Sequence, residues 1–216
     1  MLNEYIATVR EAQRREQIAT RLRRRTGTAP PARRSRGTPR GGPGATVFAA
    51  TITSKAVCLR PLERGDTETV LEVFAGLGPR SRELRFLAAK PRLTDSDVRQ
   101  LADVDDRDHV AVVARSDHDD HPVGIARFVR EPSTPDTADV AVAVVDAWQG
   151  RGVGTTLLDA LLGRAAELGV RRLTLVTAPD NRAVLRLLGR APGAVSRVGT
   201  GRGATEYAVS LDKVER

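Results

Sequence analysis

Cysteine is nearly absent from this chain. Cys58 is the sole one among 216 residues, so no disulfide can close within the chain, and its setting in Ala56-Val57-Cys58-Leu59 reads as a buried strand position, not a nucleophile. Aromatic residues make up only 3% of the sequence, too few to lay out a stacking platform for bases. No apolar run approaches the ~20 residues of a membrane span and no secretory leader pattern is visible, so a cytoplasmic location is expected. Lysine is scarce too, with Lys55, Lys90 and Lys213 alone, which excludes a Gly-x-x-x-x-Gly-Lys-Ser/Thr phosphate loop. The one gathering of ligand-type side chains, His118-Asp119-Asp120-His121, falls in a polar turn with no distant third ligand, and no metal is expected. His109 opens a strand and reads as structural.

Arginine, by contrast, is abundant and unevenly placed. Residues 1–50 carry eleven arginines against Glu4, Glu11 and Glu16, whereas the rest of the chain holds 24 basic and 24 acidic groups. The net charge of +8 therefore sits in an N-terminal arm and says little about the surface of the remaining chain. Within the arm, residues 2–25 suit a short helix with sparse apolar positions, and residues 26–44, rich in Pro, Gly, Thr, Ala and Arg, are expected to be disordered. Lacking interleaved aromatics and a dense apolar face, the arm is read as a solubilising or leader segment in preference to a nucleic-acid or lipid tail. The organisation expected is thus an arm over 1–50 and one globular domain over 51–216.

In that domain a strand is predicted over 55–60, then helices from Asp66 to about Leu77, over 81–89 and over 95–102, the last marked by Thr94 and Asp97 at capping spacing. Strands over 110–114, 124–130 and 139–145 come next as an antiparallel set. A helix over 155–168, a strand over 172–177, a helix over 181–188 and strands near 195–198 and 206–211 complete a mixed α+β order.

The most informative stretch joins the third of those strands to its helix: Gln149-Gly150-Arg151-Gly152-Val153-Gly154, with Thr155 opening the helix. Amides at a helix N-terminus favour a polyphosphate, and glycine allows close backbone approach. The glycines lie too late in the domain, and at the wrong spacing, for a dinucleotide fold. They match Gln/Arg-x-x-Gly-x-Gly/Ala, preceded by Val144 and succeeded, after the strand 172–177, by Asn181. This set resembles the acetyl-CoA loop of the GNAT N-acetyltransferase family across about residues 57–211.

The resemblance implies a GNAT fold with a mixed central sheet flanked by helices, and acetyl-CoA as cofactor. It implies that the loop Gln149 to Thr155 holds the diphosphate, and that backbone groups of Val144 and Val145, where two central strands splay, meet the pantetheine arm. A backbone N–H near Val144 would polarise the thioester carbonyl. Asn181 stands where the family contacts the cofactor, and as a helix-start residue it is equally natural as a cap. The segment Ala138-Asp139-Val140-Ala141 is similar to that of bacterial protein-lysine acetyltransferases, with Asp139 in place of a glutamate base. Asp139 is read either as the base, through a longer water relay, or as a solvated strand start. A second segment, Phe74 to Phe86, is similar to the same subgroup and contains Ser81 and Arg85. The tyrosine acid of the family would fall at Leu188, so the thiolate leaves without one. No cyclic-nucleotide domain is expected in so short an arm.

The function implied is acetyl transfer to a primary amine, with a protein lysine as the acceptor to which the resemblance points. Two alternatives stay open: a non-catalytic acyl-CoA-binding module, and a polyamine or aminoglycoside acetyltransferase whose acidic groove would use Asp103, Asp105, Asp106 and Asp108. Sequence leaves the acceptor and the oligomeric state undetermined.

Overall fold

The computed structural model describes residues 48–52, 55–191, 193–201 and 204–211; the helix and the disordered stretch expected over 2–44 lie outside them. Eight strands form one sheet: β1 (Phe48–Ile52), β2 (Lys55–Pro61), β3 (His109–Ser116), β4 (Pro122–Glu131), β5 (Thr134–Val144), β6 (Arg172–Thr177), β7 (Val195–Gly201) and β8 (Ala204–Ser210). Their order is β1-β2-β3-β4-β5-β6-β8-β7. Every neighbouring pair is antiparallel except β5 and β6. β1 begins inside the stretch read as arm, where Phe48 to Ile52 supplies the β-prone residues that pair with β2.

Helices α1 (Thr67–Ala75), α2 (Pro79–Phe86) and α3 (Asp95–Ala102) lie between β2 and β3, α4 (Val153–Glu167) between β5 and β6, and α5 (Arg182–Leu188) after β6. Capping side chains mark the starts of α1 and α3. Asp66 accepts from the Thr69 amide at 3.0 Å, and Thr94 and Asp97 form the reciprocal box their spacing suggests, at 3.2 and 2.8 Å.

The period of two in β5 builds two cores. Val140, Val142 and Val144 face α4, whose Leu157, Leu161 and Ala165 succeed one another at helical spacing. Ala143 faces the other way, against Val70 and Val73 of α1 and Leu101 of α3, together with Ala111, Val113 and Ile125. β5 starts at Thr134, five residues before the Asp139 start that its apolar pattern suggests. The extra residues Thr134 to Asp136 are exposed and include Pro135, which lacks an N–H and is tolerated in a strand only where no ladder bond needs that donor.

Candidate acyl-CoA site

The site begins where the parallel seam fails. β5 and β6 are in register only from Thr137↔Arg172 to Asp139↔Thr174. Beyond that point β6 pairs with β8 alone, and the two strands separate into a fork.

Register then decides which amides the fork receives. The Val145 N–H donates to Val123 O at 2.9 Å while Val144 stands opposite Gly124. In an antiparallel ladder this makes Val144 a non-hydrogen-bonded position, so Val144 and Val142 turn their N–H groups away from β4 and into the fork. The expectation for Val145 is corrected by the same bond. Its N–H is taken by Val123 and its carbonyl by the Trp148 amide at 2.8 Å, and its methyls fill the space beside Gly76. The fork-facing backbone is that of Val142 and Val144.

The glycine loop adds a second group of donors. Gly150 and Gly152 adopt φ of 73° and 85°, the left-handed region that a side chain would strain. Gly152 caps the fifteen-residue α4 with no side chain of its own. Thr155 donates to Gly152 O at 2.9 Å, which starts the helix. Among the described residues no acceptor takes the amides from Gly150 to Gly154, and they lie at the positive end of the helix dipole.

The other predicted members divide by role. Arg151 stacks its guanidinium 5.6 Å from the Trp148 ring, and Val153 is buried in the α4 core. Gln149 is a strut: its Nε2 donates to Val144 O at 3.0 Å, Asp146 Oδ1 at 3.0 Å and Ser81 Oγ at 3.1 Å. Asp146 in turn accepts from the Gly78 amide at 3.1 Å. The loop is thereby tied to the turn between α1 and α2, within the second segment of family resemblance. Asn181 is 1% exposed and its Oδ1 accepts from the Val184 amide at 3.2 Å. Of its two readings, the cap is the one this geometry displays.

Between loop and α5 lies a cleft of about 400 Å³, within the range of small-molecule sites. Val142 and Val144 line its depth, Gly150, Gly152, Gly154 and Thr155 form one wall, and Ala183, Leu187, Arg186 and Arg190 form the other. Asp139 sits at the crotch of the fork, half-buried, on the opposite face of β5 from Val140 and Val142. Its carboxylate accepts a hydrogen bond from the Thr174 hydroxyl. Arg80 of α2 pairs with Asp180 before α5 and with Glu83 on its own helix, so its guanidinium is held above its usual pKa, first by the hydrogen bond to Glu83.

Three aspartates of the acidic loop are engaged by neighbouring groups. Residues 103–108 precede β3, level with the paired end of β5, through His109↔Val129 and Val129↔Asp139. Asp103 pairs with Arg64 and Asp108 with Arg130, while Asp105 Oδ1 collects the amides of Arg107, Asp108 and His109. His109 is bonded on both ring nitrogens: Nδ1 lies 3.0 Å from Asp103 O, and Arg127 Nη1 lies 3.1 Å from Nε2. A neutral ring protonated at Nδ1 satisfies both contacts. Burial, and then the Arg127 charge, push its pKa down to about 4. Leu188, in place of the family's tyrosine, is buried in the core. Tyr207 sits on β8 opposite Leu175, packed on the α4-side core. Among the described residues, no three His, Cys, Asp or Glu side chains gather as metal ligands, and no helix is long and apolar enough to cross a membrane.

Some participants have little or no signal in the sequence. Thr174 has none locally, since only the parallel register brings it to Asp139. Asp146 and Ser81 stand out only as neighbours of a motif. Arg186 and Arg190, four apart at the end of α5, are the ones a spacing argument could find.

The sequence matches the acetyltransferase (GNAT) family over residues 80–191. It is 33% identical over 132 residues to Acetyltransferase Pat of Mycolicibacterium smegmatis, a match covering 61% of this chain and 39% of that protein. It is 32% identical over 134 residues to Acetyltransferase PA5475 of Pseudomonas aeruginosa, covering 59% of this chain and 69% of that one. Among solved structures, the GNAT domain of S. lividans PAT superposes with a TM-score of 0.69 at 26% identity, over 76% of this chain and 96% of that one. Acetyl-CoA is the acyl donor of the family. The forked β5–β6 seam, the glycine loop at the head of α4 and these matches agree: the chain belongs to the GNAT acetyltransferases.

Proposed function

We propose that the domain transfers the acetyl group of acetyl-CoA to a primary amine, with a protein lysine as acceptor. The observation that carries this reading is the row of unengaged amides from Gly150 to Gly154 facing a cleft that runs into the fork. The diphosphate takes the loop amides, the pantetheine arm takes the fork-facing groups of β5, and the Val142 or Val144 N–H donates to the thioester oxygen as it gains charge.

A lysine ammonium, with a pKa near 10, must lose a proton before it attacks. Asp139 is the carboxylate at the crotch, where it accepts a hydrogen bond from the Thr174 hydroxyl. Val142 lies three residues further along β5, about 10 Å of strand, so the proton travels through water. The attacking nitrogen forms the new amide, the C–S bond breaks and CoA leaves as thiolate, which then takes up, through water, the second proton shed by the nitrogen; a thiol pKa near 8.5 allows this without a dedicated acid. The choice of lysine rests on the likeness of residues 138–144 and 74–86 to protein-lysine acetyltransferases. A polyamine acceptor is disfavoured because Asp103, Asp105 and Asp108 of the acidic loop are already engaged by arginines and backbone amides. Use of acetyl-CoA as donor favours the cytoplasm as the site of the reaction, with the basic arm appended to the domain.

Thiol release from acetyl-CoA, measured with lysine peptides, tests the reading. Asp139→Asn should lower kcat/KM by about 100-fold or more while leaving acetyl-CoA affinity unchanged. Unchanged turnover would remove Asp139 as the base. Tight acetyl-CoA binding with no turnover on any amine would leave a binding module.

A further inference from the structure

The wall of the cleft opposite the glycine loop carries charge that acetyl transfer through the fork leaves unused. Arg186, in the last turn of α5, and Arg190, just past its end, are one helical turn apart and both line the cleft. Both are exposed, and among the described residues neither is paired with a carboxylate. The lining contains no acidic residue at all. A cation near a helix C-terminus is favoured by the dipole, which accounts for Arg186 but not for a second arginine turned to the same space, where like charges repel. The pair is arranged for an anion.

Coenzyme A brings two anionic groups, the diphosphate and the 3′-phosphate on its ribose, and the latter is close to dianionic at neutral pH. The loop amides meet the first. We propose that Arg186 and Arg190 form a second anion subsite that takes the ribose 3′-phosphate, so that the domain selects coenzyme A over its dephospho form. Guanidinium suits the task because its planar fork meets phosphate oxygens in pairs. The inference rests on the cleft being the acyl-CoA site.

The test compares equilibrium binding of acetyl-CoA and acetyl-dephospho-CoA to the full chain and to the Arg186→Gln/Arg190→Gln double variant, with folding checked by circular dichroism. The parent should prefer acetyl-CoA by on the order of tenfold or more. In the double variant the preference should fall close to one, through loss of acetyl-CoA affinity with dephospho-ligand affinity retained. A preference that survives in the double variant overturns the subsite. An equal loss for both ligands overturns it as well, and moves the arginines to the diphosphate. If the parent binds neither ligand, the acyl-CoA reading itself fails, an outcome distinct from the other two.

Discussion

The two ends of the β5–β6 seam differ in how completely their polar groups are satisfied. At the closed end, strands pair on both sides, and Arg130 ties three segments together through Asp108, Leu168 O and Pro135 O. Asp105, Asp103 and His109 are similarly engaged. At the open end, the Val142 and Val144 amides turn into a gap, five loop amides have no acceptor among the described residues, and two arginines face the cleft. Groups engaged across segments stabilise a fold, and donors turned to a water-accessible cleft form a binding site. The contrast predicts that substitutions at the open end change ligand affinity more than stability, and those at the closed end do the reverse.

The largest effect should come at the loop. Gly152→Val forces a β-branched residue to φ of 85°, and it costs both backbone strain and the grip on the diphosphate. Together these amount to about 3–4 kcal/mol, on the order of several hundred-fold in acetyl-CoA affinity. Calorimetry measures it, and a full-strength ligand would break the contrast. At the closed end, His109 tests the converse through pH. Its folded pKa of about 4 lies below the unfolded value near 6.5, so above pH 6.5 both states are neutral and nothing is lost. As pH falls through 6.5 toward 4, the unfolded chain binds a proton that the folded one refuses, and up to about 3 kcal/mol of stability disappears. Urea titrations of the parent and of His109→Gln across that window should show a shallower slope in the variant. Arg130→Met should cost about 2 kcal/mol in the same assay, with acetyl-CoA binding unaltered.

The range of each interaction sets how much of the molecule is legible in its sequence. The loop can be read because its chemistry is local: glycines at 150, 152 and 154, a strand before and a helix after. The Thr94–Asp97 box and the Asp66 cap are readable for the same reason. The direction of the Val145 amide is not, since it depends on the β4–β5 register, set by cores on two faces of the sheet. The role of Gln149 as a strut, and of Thr174 as the partner of Asp139, also require the fold. A run of aspartates carries no information about which groups will engage it: Asp103 and Asp108 meet Arg64 and Arg130 from distant segments.

The mildest test probes the tie between the loop and the turn joining α1 to α2, at Gly78. A Cβ there would come within 2.5 Å of Asp146 Oδ2, closer than contact allows, in a side chain bonded both to the Gly78 amide and to Gln149. Gly78→Ala should push Asp146 aside and release one of the three acceptors that hold the Gln149 amide, while Val144 O and Ser81 keep the others. The loop loosens but does not collapse, which corresponds to about 1 kcal/mol, a few-fold rise in KM for acetyl-CoA with little change in Tm. Asp146→Asn tests the same bond without crowding the turn. It keeps an oxygen for the Gly78 amide but sets its Nδ2 donor against Gln149 Nε2, so it releases the same acceptor and should raise KM about as much as Gly78→Ala. If KM stays at the parent value in both variants, the bond between Asp146 and Gln149 does not support the loop, and the tie to the α1–α2 turn is incidental to the cleft.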